Sequence, residues 1–242
     1  DDNVHAVLTG YDMMILRAAY APELRSGMTR AEVEARLPAL LARINPGGSG
    51  LAPRHDGTTP REWTEAMETA LGVGAAPGAR RAAAARTLSI AQTLRWQDHR
   101  LGFAHYVMGR LSLPLDPSEA VAHFQAADRI FAQRPEYGLH RAMVASQLTA
   151  YLVAQGRGPE AVDMVGIHLP TVIRHENAAL VATLNMLRAE ALELSGRGVE
   201  AQAVRLDSLG WARYGFGADW AIRAKLREIG ALNPLNRRNG RI

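Results

Sequence analysis

The residues of this chain best suited to chemistry are eight histidines: His5, His55, His99, His105, His123, His140, His168 and His175. An imidazole can bind a metal, move a proton or activate a nucleophile, but each task needs a partner at a defined distance. A zinc-binding helix would carry two histidines four residues apart on one face, with a glutamate base between them. No two of the eight stand at that spacing, and His175-Glu176 reads as a helix boundary. His105 and His123 fall at apolar helical positions, where packing is the expected role. No Ser-His-Asp set is legible, although the members of a triad need not be neighbours in sequence. With no cysteine in the chain, thiolate catalysis, disulfides and thiolate metal sites are excluded. The sequence therefore names no catalytic residue, no metal ligand and no cofactor.

Other chemical signals have simpler readings. Gly156-Arg157-Gly158 and Gly196-Arg197-Gly198 could cradle a phosphate, but no strand precedes them and the spacing of a phosphate loop is missing. They read as turns between helices. Trp211, Tyr214, Phe216 and Trp220 form an aromatic group expected to pack the last helices against a cap. Basic residues exceed acidic ones, 28 to 24, and the pI is near 9.8. All but Lys225 are arginines scattered among carboxylates, a pattern that fits a salt-bridged helical surface better than a nucleic-acid footprint. No apolar run is long enough to span a membrane.

The elements that would position these residues are legible as a repeat. Ala120, Ala161 and Ala201 each follow a glutamate, just after a turn, and stand forty-one and forty residues apart. A period of that size marks stacked supersecondary units. The first hairpin pairs residues 99–111 with 118–131 and the second 137–154 with 159–169, where Pro170 is expected to stop the helix. The third pairs 177–194 with 199–214. Before them, Thr59-Pro60-Arg61-Glu62 predicts a capped helix start and a helix to Leu71, followed by an alanine-rich helix over 79–96. A capping helix over 218–229 shows Arg223, Lys225, Arg227 and Glu228 to solvent, and the remaining tail is expected to fray.

These repeats resemble the tetratricopeptide pattern. Ala120, Phe124, Ala127 and Pro135 echo its second helix, while Gly109, Thr149 and Ala189 sit where it needs a small residue between paired helices. The period departs from the family's roughly 34 residues, and Val165 and Arg205 replace its phenylalanine. The resemblance implies an all-α fold of antiparallel helix pairs stacked as a right-handed superhelix, over residues 60–217. It also implies a concave groove lined by the first helix of each pair. Tyr106, Arg110, Ser146, Met186 and Glu190 are the groove candidates for a protein or peptide partner. The competing expectation is that this surface packs on the protein's own N-terminal portion.

Residues 1–45 read as a helical pair. Thr9 and Asp12 cap the first helix, Thr29 and Glu32 the second, and Pro38 is expected to kink it. Residues 46–59 form a glycine- and proline-rich linker. Leu8, Thr9, Asp12, Leu16, Tyr20, Pro22, Leu24, Gly27 and Met28 resemble the last part of an uncharacterised bacterial lipoprotein family with a metzincin-like domain. That resemblance covers residues 1–48. It implies a periplasmic or envelope location, with the cytoplasm as alternative, and any zinc site would lie upstream of Asp1. The chain opens on Asp1 and reads as a processed or excised piece. The expected function is a non-catalytic protein-binding scaffold. The alternatives are the non-catalytic part of a zinc peptidase and a nucleic-acid-binding or regulatory scaffold.

Overall fold

A computed structural model describes residues 59–72 and 75–238. The expected N-terminal helical pair, its caps, the Pro38 kink and nearly all of the linker lie outside the described residues, as does the end of the tail. Among the described residues the fold is all-α, with no strand. Its helices are α1 (Arg61–Leu71), α2 (Pro77–Thr93), α3 (His99–Ser112), α4 (Pro117–Phe131), α5 (Gly138–Ala154), α6 (Gly158–Arg174), α7 (Ala178–Leu194), α8 (Gly198–Phe216), α9 (Asp219–Leu232) and α10 (Pro234–Arg238). The chain divides into two compact units, and the boundary falls within α5, after Val144.

In the first unit α1 and α2 form an antiparallel hairpin. Arg80 Nε donates to the Ala70 carbonyl at 3.1 Å, satisfying an otherwise open acceptor at the end of α1. Trp63 is fully buried and meets the Trp96 ring edge-on at 5.7 Å between centroids. The buried face of α2 is small, with Ala84, Thr87 and Ala91, so neighbouring backbones can come close. Thr59 is a correction to the sequence reading. It is buried, the α1 cap position is Pro60 with no side-chain cap bond, and the Thr59 hydroxyl instead accepts from Arg100 at 3.2 Å.

Helices α3 and α4 pair antiparallel around two glycines. A Cβ on Gly109 would stand 2.8 Å from the Phe124 ring and 3.1 Å from the Ala120 carbonyl, and one on Gly102 would meet Phe131 at 2.7 Å. Aspartates cap both helices. Asp98 accepts from the Arg100 amide at 3.0 Å, and Asp116 from the amides of Ser118 and Glu119 at 2.9 and 3.0 Å.

In the second unit the hairpins recur with the expected period. Gly156 and Gly196 both have φ of +73°, the left-handed conformation in which glycine escapes the Cβ penalty. In each turn the glycine amide donates three residues back, and the next amide five residues back, to Leu152 or Leu192. Arg157 then clasps Glu160 as Arg197 clasps Glu200, each through two hydrogen bonds. Ala161 and Ala201 follow at the same place in their helices and are fully buried.

The two turns differ in one respect. A Cβ on Gly158 would lie 2.6 Å from the Ala191 carbonyl, whereas one on Gly198 meets nothing within 4 Å. Gly158 is crossed by the end of α7. Gly198 belongs to the last hairpin, and no corresponding helix end reaches it.

Pro170 does not stop α6, which runs on to Arg174. Proline removes one amide and crowds the carbonyl four residues back, at Gly166. Both Gly166 and Pro170 are exposed, so water can take up the freed carbonyl and the helix continues. The tail differs from expectation as well, because residues 234–238 form α10 instead of fraying. Asn233 caps it by accepting from the Leu235 amide at 2.9 Å.

Helix α9 lies over the last hairpin, and Lys225, expected at the surface, is half-buried. Ile222 and Ile229 bury against Ala179, Ala182, Met186, Leu187, Ala212 and Phe216, while Arg223, Arg227 and Glu228 stay exposed. The aromatic group is only partly internal. Phe216 is in the core, but Tyr214 is 73% exposed. Tyr214 sits on the side of α8 opposite Ala212 and Gly215, which the sequence grouping did not resolve.

Candidate functional site

The first helix of each hairpin carries the residues singled out from the sequence. In the first unit, Tyr106 and Arg110 are one turn apart on α3. Tyr106 is buried between aromatic neighbours, 6.0 Å from Phe103 and 6.2 Å from Phe124 by ring centroids. The Arg110 guanidinium lies 5.9 Å from the Tyr106 ring, within cation–π range. Arg110 is half-buried, and burial of Arg80, helped by the charge of Arg110, lowers the Arg80 pKa.

In the second unit, Ser146 on α5 is buried, and its hydroxyl receives a long 3.4 Å contact from Gln147. Met186 is a core residue of α7, packed beneath α9. Glu190, one turn further on, is the centre of a buried polar network. Its carboxylate accepts from Arg205 of α8 at 2.9 Å, Asn233 at 2.8 Å and Asn236 at 3.1 Å. Arg205 also binds Glu193 at 2.6 Å, and the two carboxylates push its pKa further above the ordinary arginine range. Asn185 donates to Asp207 at 3.0 Å, extending the polar seam between α7 and α8.

Arg205 stands where a phenylalanine of the related repeat pattern would be, and Glu190 answers that substitution. Sequence reasoning missed the two asparagines. Their signal was Asn233-Pro234, a cap followed by proline at the first helical position, which marks a helix start and not a frayed end.

A second polar cluster joins α2, α3 and α4. His105 Nδ1 lies 3.0 Å from His123 Nδ1, so one ring donates and the other accepts. His123 Nε2 is 3.9 Å from Glu119, whose other oxygen takes the Arg81 guanidinium at 2.5 Å. Burial, His123 and Arg129 together lower the His105 pKa to about 4, and burial also lowers His123. Both rings are therefore neutral near pH 7, one donating its Nδ1 proton and the other accepting. The packing role expected for this pair fits: the rings close a helix–helix contact. Arg81 of α2 is held by Glu119 of α4. Among the described residues no group of three or more histidine, aspartate or glutamate side chains could hold a metal ion.

Comparison with known proteins adds one match. A family described as proteins of unknown function (DUF2927) matches residues 1–39. No curated protein and no solved structure matches this chain.

Proposed function

We propose that this chain is a protein-binding module built from helical repeats, serving a bacterial envelope protein alongside a metzincin-like domain. One observation carries the binding role: the hairpin between α5 and α6 recurs between α7 and α8 down to its left-handed glycine and arginine–glutamate clasp. Repeats of that kind extend a surface by stacking, and the surface is what such folds use. The envelope location and the metzincin-like neighbour rest on the resemblance of residues 1–48.

In the first unit the partner is a peptide that lies along α3 with an acidic group at Arg110, while Tyr106 is buried beneath and supports the Arg110 guanidinium through its ring. In the second unit, α9 and α10 cover Met186 and Glu190. A ligand reaching those two must displace the chain's own C-terminal helices. Selection of displayed peptides against the full chain tests the reading. Peptides with an acidic residue are expected to be enriched, and Arg110→Glu is expected to weaken them by roughly tenfold or more with unchanged helicity. Selected peptides that bind Arg110→Glu as well as the parent would overturn it.

The metallopeptidase alternative rests on the Thr9–Asp12 pattern. Proteolytic activity lost when residues 9–12 are altered in the longer protein would support it.

A further inference from the structure

Helices α8 and α9 are joined by a turn unlike those that close the hairpins of the second unit. Gly217 has φ +77° and ψ −50°, and the Ala218 amide donates back to the Phe216 carbonyl at 2.9 Å. This is a three-residue turn of the rare, strained hand, which a residue with a Cβ avoids. Beyond it the chain runs into α9, whose buried side chains are Ile222 and Ile229, whereas α7 beneath it is buried over most of its length. A helix held by so few side chains is a low-stability element, able to open ahead of the hairpin it covers.

The far end of α9 is fastened at Glu190, whose carboxylate is divided between two structures. Oε1 takes the Arg205 guanidinium of α8 at 2.9 Å, while Oε2 accepts from Asn233 at 2.8 Å and Asn236 at 3.1 Å. The first bond belongs to the hairpin of α7 and α8, the other two to the segment after α9. Release of that segment leaves Glu190 paired with Arg205 and gives only Oε2 to water. Both donors at Oε2 are neutral amides, and a charged donor binds a carboxylate roughly twice as strongly.

We propose that α9 and α10 are a lid over α7, hinged at Gly217 and latched on Glu190, and that the face beneath takes a basic amphipathic peptide in its place. The site rests on the reading of this chain as a protein-binding module, and it adds a partner of opposite charge to the one at Arg110. A lysine or arginine of the partner replaces the two asparagine amides at Oε2, where its charge gives the stronger bond. Apolar side chains of the partner replace Ile222 and Ile229 over Ala182, Met186 and Leu187. Lid and partner compete for the same atoms, so the apparent affinity falls by the fraction of chains whose lid is open. The two states are both accessible because Arg205 holds Glu190 in each of them.

Hydrogen exchange of the full chain tests the lid. Helices α9 and α10 are expected to exchange in one step, ahead of α7 and α8. Asn236→Ala is expected to speed that step about fivefold, the weight of one neutral hydrogen bond, and to leave α7 and α8 unchanged. Fluorescence anisotropy tests the face, using a labelled helical peptide of leucine, alanine and arginine beside its counterpart with glutamate for arginine. Asn236→Ala is expected to bind the arginine peptide about fivefold more tightly than the parent, and neither to bind the glutamate peptide. Adding Glu190→Gln to Asn236→Ala should weaken the arginine peptide by roughly tenfold or more at unchanged helicity. Exchange of α9 and α10 only together with α7 and α8 overturns the lid. An arginine peptide bound no more tightly by Asn236→Ala than by the parent, or equally well after Glu190→Gln, overturns the face. Arg110→Glu reports on the acidic peptides of the first unit, so either site can fail without the other.

Discussion

Acid should weaken the first unit through His105, and the size of the effect follows from its surroundings. In the unfolded chain the imidazole takes up a proton near pH 6.5, but in the fold burial and the neighbouring His123 and Arg129 delay this to about pH 4. Protons therefore favour the unfolded chain between those values. The stability contributed by neutral His105 is fully present above about pH 6.5 and is lost as pH falls through about 4. A gap from 6.5 to about 4 corresponds to roughly 3.4 kcal/mol at 1.36 kcal/mol per unit. Because the ring is only partly buried, solvent screening reduces the usable figure to about 1–2 kcal/mol. Denaturant unfolding of the parent and of His105→Asn, each at pH 7 and pH 4.5, isolates this contribution. Carboxylates that titrate in acid affect both proteins alike, and asparagine can still bond His123 without gaining charge. The parent is expected to lose about 1–2 kcal/mol more than the variant on acidification. Equal losses would refute the account of the histidine pair.

Four further outcomes are expected. Gly109→Ala should destabilise by about 1–3 kcal/mol despite alanine's better helix propensity, since its Cβ meets Phe124 at 2.8 Å. Gly166→Ala, in open space on α6, should instead stabilise by up to about 1 kcal/mol, and thermal melts compare the two. Glu190→Ala removes the acceptor of the Asn233 amide and one acceptor each of Arg205 and Asn236, which keep Glu193 and the Gly230 carbonyl, and should cost about 1–3 kcal/mol, with early hydrogen exchange confined to α9 and α10. Glu176 closes α6 at φ +53°, a place glycine fills in the neighbouring turns, so Glu176→Gly should raise stability by about 1 kcal/mol in chemical denaturation.

The hairpins were legible because their signals are local. The period of Ala120, Ala161 and Ala201 and the glycine turns act within a few residues of themselves, and the helices begin and end close to where those residues say. Gly109, Thr149 and Ala189 were legible for a related reason: a tightly paired hairpin has room only for small residues at its crossing, and all three are buried. Other features depend on what lies across from a residue. Whether Pro170 ends a helix turns on whether the carbonyl of Gly166 can reach water. Whether residues 234–238 fray turns on a buried carboxylate more than forty positions earlier. Met186 and Glu190 looked like groove residues because they lie on the first helix of their pair, yet that part of α7 is what α9 and α10 cover. By itself the sequence determined that the chain would fold as repeated helical hairpins, because turn chemistry and side-chain period are properties of neighbours. Only the tertiary structure decided which faces of those helices meet protein and which meet solvent, because burial depends on residues brought together from distant parts of the chain.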